Sequence, residues 1–336
     1  GGIRMTFGGA EANVAVSIAR LGGRSRFVTA LPDNEISKAC LTTLKGLGVD
    51  TELILQKNNG RLGLYFTETG INQRPSRVIY DREHSTFSTT DYDEYDWQSI
   101  FNDACWLHVT GISPALSKVN ADTVIKAVRQ AKENGLTVSC DLNFRKNLWK
   151  WDGHKTSRQL AESVMRQILP SVDVLLANEE DPLDVLDIHP ENTNVHQGKL
   201  DVKKYTDVAK KIVSEFTNIS IVAITLRESI SANHNNWGAM LYDVKTGKSY
   251  FAPEDNGKYH PYKITDIVDR VGAGDSFAAG LIFSLTTPEL SSPQNAVSFA
   301  TAAACLAHSI RGDFNYSSRD EIESLIKGSG SGRIIR

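Results

Sequence analysis

The amino-acid sequence predicts an α/β domain built on a mostly parallel sheet, and two observations carry that prediction. Three consecutive stretches between residues 124 and 228 each run through an amphipathic helical segment, a breaker, a short β-rich run and then polar residues. The polar runs at 141–145, 178–181 and 225–228 each stand where a strand should end. Strands alternating with helices imply right-handed crossovers and a sheet covered on both faces. Ligands bind such sheets beyond the carboxyl ends of the strands, so the three clusters are expected to share one rim.

In chain order, Gly8 and Gly9 lead into a helix on which Val14, Ile18 and Leu21 share a face. Asn13 falls on its first turn, where an amide could hold a hydroxylated ligand; a glycine-rich helix entry without a ligand is the equal alternative. Residues 60–82 alternate (Leu62, Leu64, Phe66, then Val78, Tyr80) around Gly70-Ile71-Asn72, which predicts a hairpin, a small flap over the rim. Arg82 closes that flap and Arg145 stands at the sheet rim. Either could grip a carboxylate in a bidentate pair, although surface arginines are more often simply solvated.

The first repeat unit places Val124, Ile125, Val128 and Ala131 at helical spacing, stops at Asn134-Gly135, and continues as a strand over 136–140. The second has a helix over 156–169, broken by Pro170, and a strand over 172–177. The third has a helix at about 204–216 and a strand over 219–224. Residues 238–252 read as a further hairpin, turning at Lys245–Lys248.

The most informative run is Asp269–Phe277. Gly272 and Gly274 bracket Ala273 just before a helix that carries Phe277, Leu281 and Leu285. Glycines there let main-chain amides converge at a helix N-terminus, an anion site. Asp275 at that terminus suits a general base, and the helix dipole is expected to keep it ionised at neutral pH. The bland alternative is that Asp275 only caps the helix.

Composition excludes several functions. A net charge of −3 and a pI near 6.3 remove the electrostatic case for nucleic acid. No apolar run approaches the roughly 20 residues that cross a bilayer, and no signal-peptide core opens the chain, so a cytoplasmic protein without a membrane partner is expected. Cys40, Cys105, Cys140 and Cys305 form neither a CxxC pair nor a disulfide framework, and the eight histidines contain no HxxxH pair. Thr246–Ser249 imitates the end of a phosphate loop, but Tyr242 stands where that loop needs glycine. No GxGxxG follows a strand, and Gly328–Gly332 reads as a flexible end rather than a nucleotide loop.

These residues together resemble the ribokinase-like (PfkB) sugar kinases over nearly the whole chain. Two signatures carry the likeness: Gly8-Gly9 with Asn13 and Arg20-Leu21-Gly22, and Gly272-Ala273-Gly274-Asp275. Within the family the chain is most similar to the 2-keto-3-deoxygluconate kinases, through Tyr80-Asp81-Arg82, His108–Ile112, Asp141–Arg145 with Leu148-Trp149, Thr225–Ser229 and Arg311–Asn315. The resemblance implies a single three-layer α/β/α sandwich over 1–336, with a β-lid drawn mainly from about 1–10 and 58–84. It also implies transfer of the ATP γ-phosphoryl group to the 6-hydroxyl of the sugar acid; a fructokinase-like kinase, or a non-catalytic sensor on the same scaffold, is the alternative.

Carried over position by position, the resemblance makes Asp275 the catalytic base and Gly272, Ala273 and Gly274 its anion hole. Gly8, Gly9, Asn13, Tyr65, Tyr80 and Ile112 would line the sugar site, with Arg82 and Arg145 on the keto-acid end and Asp313 a further contact. Asn143, Asn178, Thr225 and Arg227 would face the nucleotide together with Gly272 and Gly274. Mg²⁺ would rest largely on phosphates and water, and Asp181 or Glu180 is its candidate protein ligand. Homo-oligomers would form through the lid. The sequence departs from the family in three respects, the first being that the family's Asn-x-x-Glu motif near the metal reads Asn178-Glu179-Glu180-Asp181 here, ending on a shorter carboxylate. Arg227-Glu228 replaces a glycine-led nucleotide loop, and the strand that usually precedes the glycine pair is expected to be absent or to lie outside the sequence.

Overall fold

Side-chain caps fix where many helices begin. Asn34, Ser117 and Ser292 each accept an N–H three residues on, and Thr156 with Gln159 and Ser318 with Glu321 close reciprocal capping boxes. The structure, a computed structural model, describes residues 2–189 and 203–328. The tail read as a flexible end lies, beyond Gly328, outside the described residues.

The chain opens with helix α1 (Ala10–Arg20), strand β1 (Ala30–Pro32), α2 (Glu35–Gly46) and β2 (Leu55–Lys57). A free-standing hairpin follows, β3 (Leu64–Glu68) and β4 (Arg77–Asp81). Then come α3 (Trp97–Phe101), β5 (Trp106–Thr110), α4 (Ile112–Ala115), α5 (Lys118–Glu133), β6 (Thr137–Asp141) and α6 (Ser157–Ile168). They are followed by β7 (Val174–Ala177), α7 (Asp181–Leu186), α8 (Lys203–Glu215), β8 (Ile221–Ser231), β9 (His234–Asp243) and β10 (Lys248–Ala252). Short strands β11 (Glu254–Asp255), β12 (Lys258–Tyr259) and β13 (Tyr262–Ile264) precede α9 (Ala273–Leu285), α10 (Pro293–Ala307) and α11 (Arg319–Ile326).

The main sheet runs β10-β9-β8-β7-β6-β5, with β13 also paired to β9. Strands β5 to β8 are parallel, and β9, β10 and β13 add an antiparallel edge. Side chains of the parallel strands divide between two cores. Val138, Leu175, Val222 and Ile224 meet α5, α6 and α8 on one face; Val174, Leu176 and Ala223 meet α1, α9 and α10 on the other. Burial on both faces explains why these strands read as continuous apolar runs. Among the described residues no helix is long and apolar enough to cross a membrane.

Two expectations need correction. The strand read as 219–224 continues as β8 to Ser231, because β9 pairs with it in antiparallel register along its whole length, so residues 225–228 lie within a strand rather than after one. Residues 2–9 form no strand; the two-stranded flap is β3 and β4 alone, joined by 69–76. The sheet is also interrupted. β5 ends its order, and β1 pairs only with β2. A cavity of about 1820 Å³ reaches both Ala30-Leu31 and Trp106–Val109, and extends to Gly8, Tyr65, Arg82 and Asp313.

Candidate active site

The loop before α9 is built around two aspartates. Asp269 accepts the N–H groups of Arg270 (2.8 Å) and Val271 (3.2 Å) with one oxygen and that of Gly312 (3.1 Å) with the other, fastening residues 269–272 to 311–313. Gly272 caps α9 at φ 78°, and a Cβ there would fall 2.2 Å from the Asp313 carbonyl oxygen, so only glycine fits. A Cβ on Gly8 would fall 2.3 Å from Asp313 Cγ. The two glycine signatures, far apart in sequence, therefore close on the same residue.

Asp275 sits in the first turn of α9 but does not cap it; Gly272 holds the cap position. Its carboxylate instead accepts Asn13 Nδ2 at 2.6 Å. Asn13 is buried on α1, its Oδ1 takes the Gly9 N–H at 3.2 Å, and its Nδ2 also reaches Asp313 Oδ2 at 3.4 Å. Loss of water around Asp275 raises its carboxyl to about 7, with the Asp313 and Glu11 charges adding to the rise and Asn13 and Arg145 opposing it. Dehydration thus opposes the helix dipole, which favours the ionised form, and leaves Asp275 a stronger proton acceptor than a free aspartate.

The hairpin faces this centre with its aromatic side. Tyr65 and Tyr80 are direct cross-strand partners, and the Arg82 guanidinium lies 5.2 Å from the centre of the Tyr65 ring and 5.4 Å from that of Tyr80. The Tyr65 hydroxyl donates to the Asp313 carboxylate at 2.5 Å. Gly9 and Ile112 stand on the wall of the same cavity. Arg145 is exposed after β6, with its charge acting on Asp275, Asp141 and Asp181. Asp275 and Arg145 are not on the cavity wall; Asp275 connects to it through Asn13 and Asp313.

Asn143, Asn178 and Thr225 lie at the carboxyl ends of β6 and β7 and within β8, with Arg227 two residues further along β8. Asn143 is buried at φ 38°, and Arg227 pairs with Glu179 at 3.8 Å. Asn178 Oδ1 accepts the N–H groups of Glu180 and Asp181. Side-chain amides, a guanidinium and the N–H groups of a helix's first turn are donors of the kind that polyphosphates bind. The metal candidates differ. Asp181 is 2% exposed, and its oxygens accept the Phe144 and Asn178 N–H groups at 3.1 and 3.0 Å, while Glu180 is exposed. Among the described residues no three His, Cys, Asp or Glu side chains could hold a metal ion.

Residue patterns alone missed three contributors. Glu11 accepts Thr110 Oγ1 (2.9 Å) and Ser113 Oγ (2.7 Å), tying α1 to the end of β5. Asp141, held well above the usual carboxylate range by burial and then by Asp181 and Asp275, adds a third acidic group beside Arg145. Asp269 is the third. Glu11 lies inside the first glycine run and Asp269 opens the run before α9, so their positions were visible; their distant partners, Thr110 and Ser113 for Glu11 and Gly312 for Asp269, were not.

A family model described as pfkB family carbohydrate kinase matches residues 1–227 and 238–317. The crystal structure of 2-dehydro-3-deoxygluconokinase from Thermotoga maritima is 41% identical, with 97% of this chain and 91% of that one covered and a TM-score of 0.85. A 2-dehydro-3-deoxygalactonokinase of Haloferax volcanii is 29% identical, covering 96% of this chain and 88% of its own. A 2-dehydro-3-deoxygluconokinase of Bacillus subtilis is also 29% identical, covering 82% and 72%.

Proposed function

The chain belongs to the pfkB family of carbohydrate kinases, and on that premise we propose that it moves the γ-phosphoryl group of ATP to the 6-hydroxyl of 2-keto-3-deoxygluconate, with Asp275 as general base. One observation carries the reading: a buried carboxyl stands in the first turn of α9 beside unpaired amides, and Asn13 and Asp313 link it to a cavity that Arg82 lines. Asp275 takes the proton of the attacking hydroxyl, and the amides of Ala273 and Gly274 meet the charge that spreads over the transferred group. Arg82, whose guanidinium lies over the Tyr65 and Tyr80 rings, and Arg145 bind the carboxylate and keto end of the acceptor. Gly8, Gly9, Asn13, Ile112 and Asp313 complete the sugar side.

The nucleotide lies along Asn143, Asn178, Thr225 and Arg227. Mg²⁺ would be held largely by the phosphates and would supply charge neutralisation there, with Glu180 or Asp181 as the candidate protein carboxylate. Hairpin β3–β4 acts as the lid, excluding water that would otherwise accept the phosphoryl group. Its outer face carries Leu64 and Phe66, 44% and 45% exposed, and Ile79 at 66%, an apolar surface that a second copy would cover.

The test is a coupled assay with ATP and Mg²⁺ over 2-keto-3-deoxygluconate, its galactonate-derived epimer and fructose. A keto-acid kcat/KM at least about 100-fold above that of fructose is expected, since fructose leaves both arginines unpaired. Phosphorylation of fructose without the keto acids would overturn the substrate assignment. The ratio between the two epimers decides which sugar acid is preferred.

A further inference from the structure

A continuous chain of hydrogen bonds joins the flap to the base. Tyr65, on β3, donates to Asp313 at 2.5 Å; Asp313 accepts Asn13 Nδ2 at 3.4 Å; the same nitrogen donates to Asp275 at 2.6 Å. Asn13 cannot reverse its amide without cost, because its oxygen holds the Gly9 N–H and its nitrogen faces two carboxylates. The glycines at 8 and 272 leave Asp313 no room to withdraw, since a single added carbon at either position would collide with it.

We propose that Tyr65 is a positioning residue for Asp275, acting through Asp313 and Asn13, so that the seating of the hairpin and the proton-accepting power of the base are one linked state. The proposal rests on Asp275 being the base. Its logic is electrostatic. The Tyr65 hydroxyl favours the charged form of Asp313, and a charged Asp313 repels charge on Asp275. A seated hairpin therefore makes Asp275 a stronger proton acceptor, and an unseated one lets it ionise at lower pH. The other groups facing the pair are fixed parts of the body: Glu11 on α1, Asp141 and Arg145 beside β6, and Asp269 before α9, with Arg82 moving together with the hairpin.

The test is the pH dependence of kcat/KM for the acceptor in the intact protein, alongside a carbon-13 titration of the Asp275 carboxyl without substrate. In the wild-type protein the rate should rise through about pH 7 as the carboxyl loses its proton. Tyr65→Phe and Asp313→Asn should each move that limb to lower pH, by about one unit for the charge removal at Asp313. Asn13→Ala, which deletes a donor to the ionised form, should move it upward. A merely structural role would lower the rate and leave the limb in place. A limb abolished by Asp275→Asn yet unmoved by Tyr65→Phe sinks the link and keeps the base. Turnover that survives Asp275→Asn sinks the base, and the carboxyl titration still decides the link: an Asp275 titration identical in wild-type and Tyr65→Phe protein overturns it.

Discussion

Two antiparallel hairpins in this molecule have opposite fates. In β8–β9, Leu226, Ala239, Met240 and Leu241 are almost wholly buried, because β7, β10, β13 and helices on both faces enclose the ribbon. In β3–β4 no third strand is added, and every residue of both strands is exposed except Tyr65 and Tyr80. The tips of the two ribbons nevertheless meet, where Ala232 donates its N–H to the Asn72 carbonyl at 2.8 Å. An isolated two-stranded ribbon is marginal on its own. The free hairpin is held by that tip, by Tyr65 on Asp313, by Tyr80 against the core and by Arg61 on Asp81. The enclosed hairpin is scaffold; the free one is free to respond.

The contrast can be tested by damaging each side in turn. The largest expected effect is in the body at the base: Asp275→Asn should lower kcat by about 10²–10⁴ with the acceptor KM changed by less than about threefold, measured by steady-state kinetics. Next is the helix layer behind it. A Cβ on Gly280 would stand 2.9 Å from Ala300 Cα, so Gly280→Leu should destabilise the fold by about 1–3 kcal/mol in denaturant unfolding. On the hairpin, Arg82→Ala should raise the keto-acid KM about tenfold or more and leave the ATP KM unchanged; equal rises in both would show that the hairpin does not serve the acceptor alone. Ile79→Ser, on the outer face, should shift the unfolding free energy by less than about 0.5 kcal/mol while lowering any self-association seen in sedimentation. A large stability loss there would erase the distinction between the two ribbons.

Much of this was legible in the residues, for local reasons. The periodicity of Val124, Ile125 and Val128, the stop at Asn134-Gly135, and the alternation around Gly70 each depend on neighbours a few residues away. Strand β8 was misjudged because Arg227 and Glu228 look like a rim cluster; they are carried in a strand because β9 pairs opposite, with Trp237 across from Arg227. At the site, Asp275 and Asn13 stood out through their glycines. The environment of Asp275 did not, because its dehydration and its neighbour Asp313 come from folding elements far apart in sequence.

The clamp at Asp269 has a consequence for how the site comes apart. One carboxylate ties the entry of α9 to residues 311–313, and Asp313 in turn fills the space that Gly8 and Gly272 leave. The first turns of α1 and α9, which carry Asn13 and Asp275, therefore share one fastener supplied from the far end of the chain. Loosening it should release both halves of the site in a single step rather than in turn.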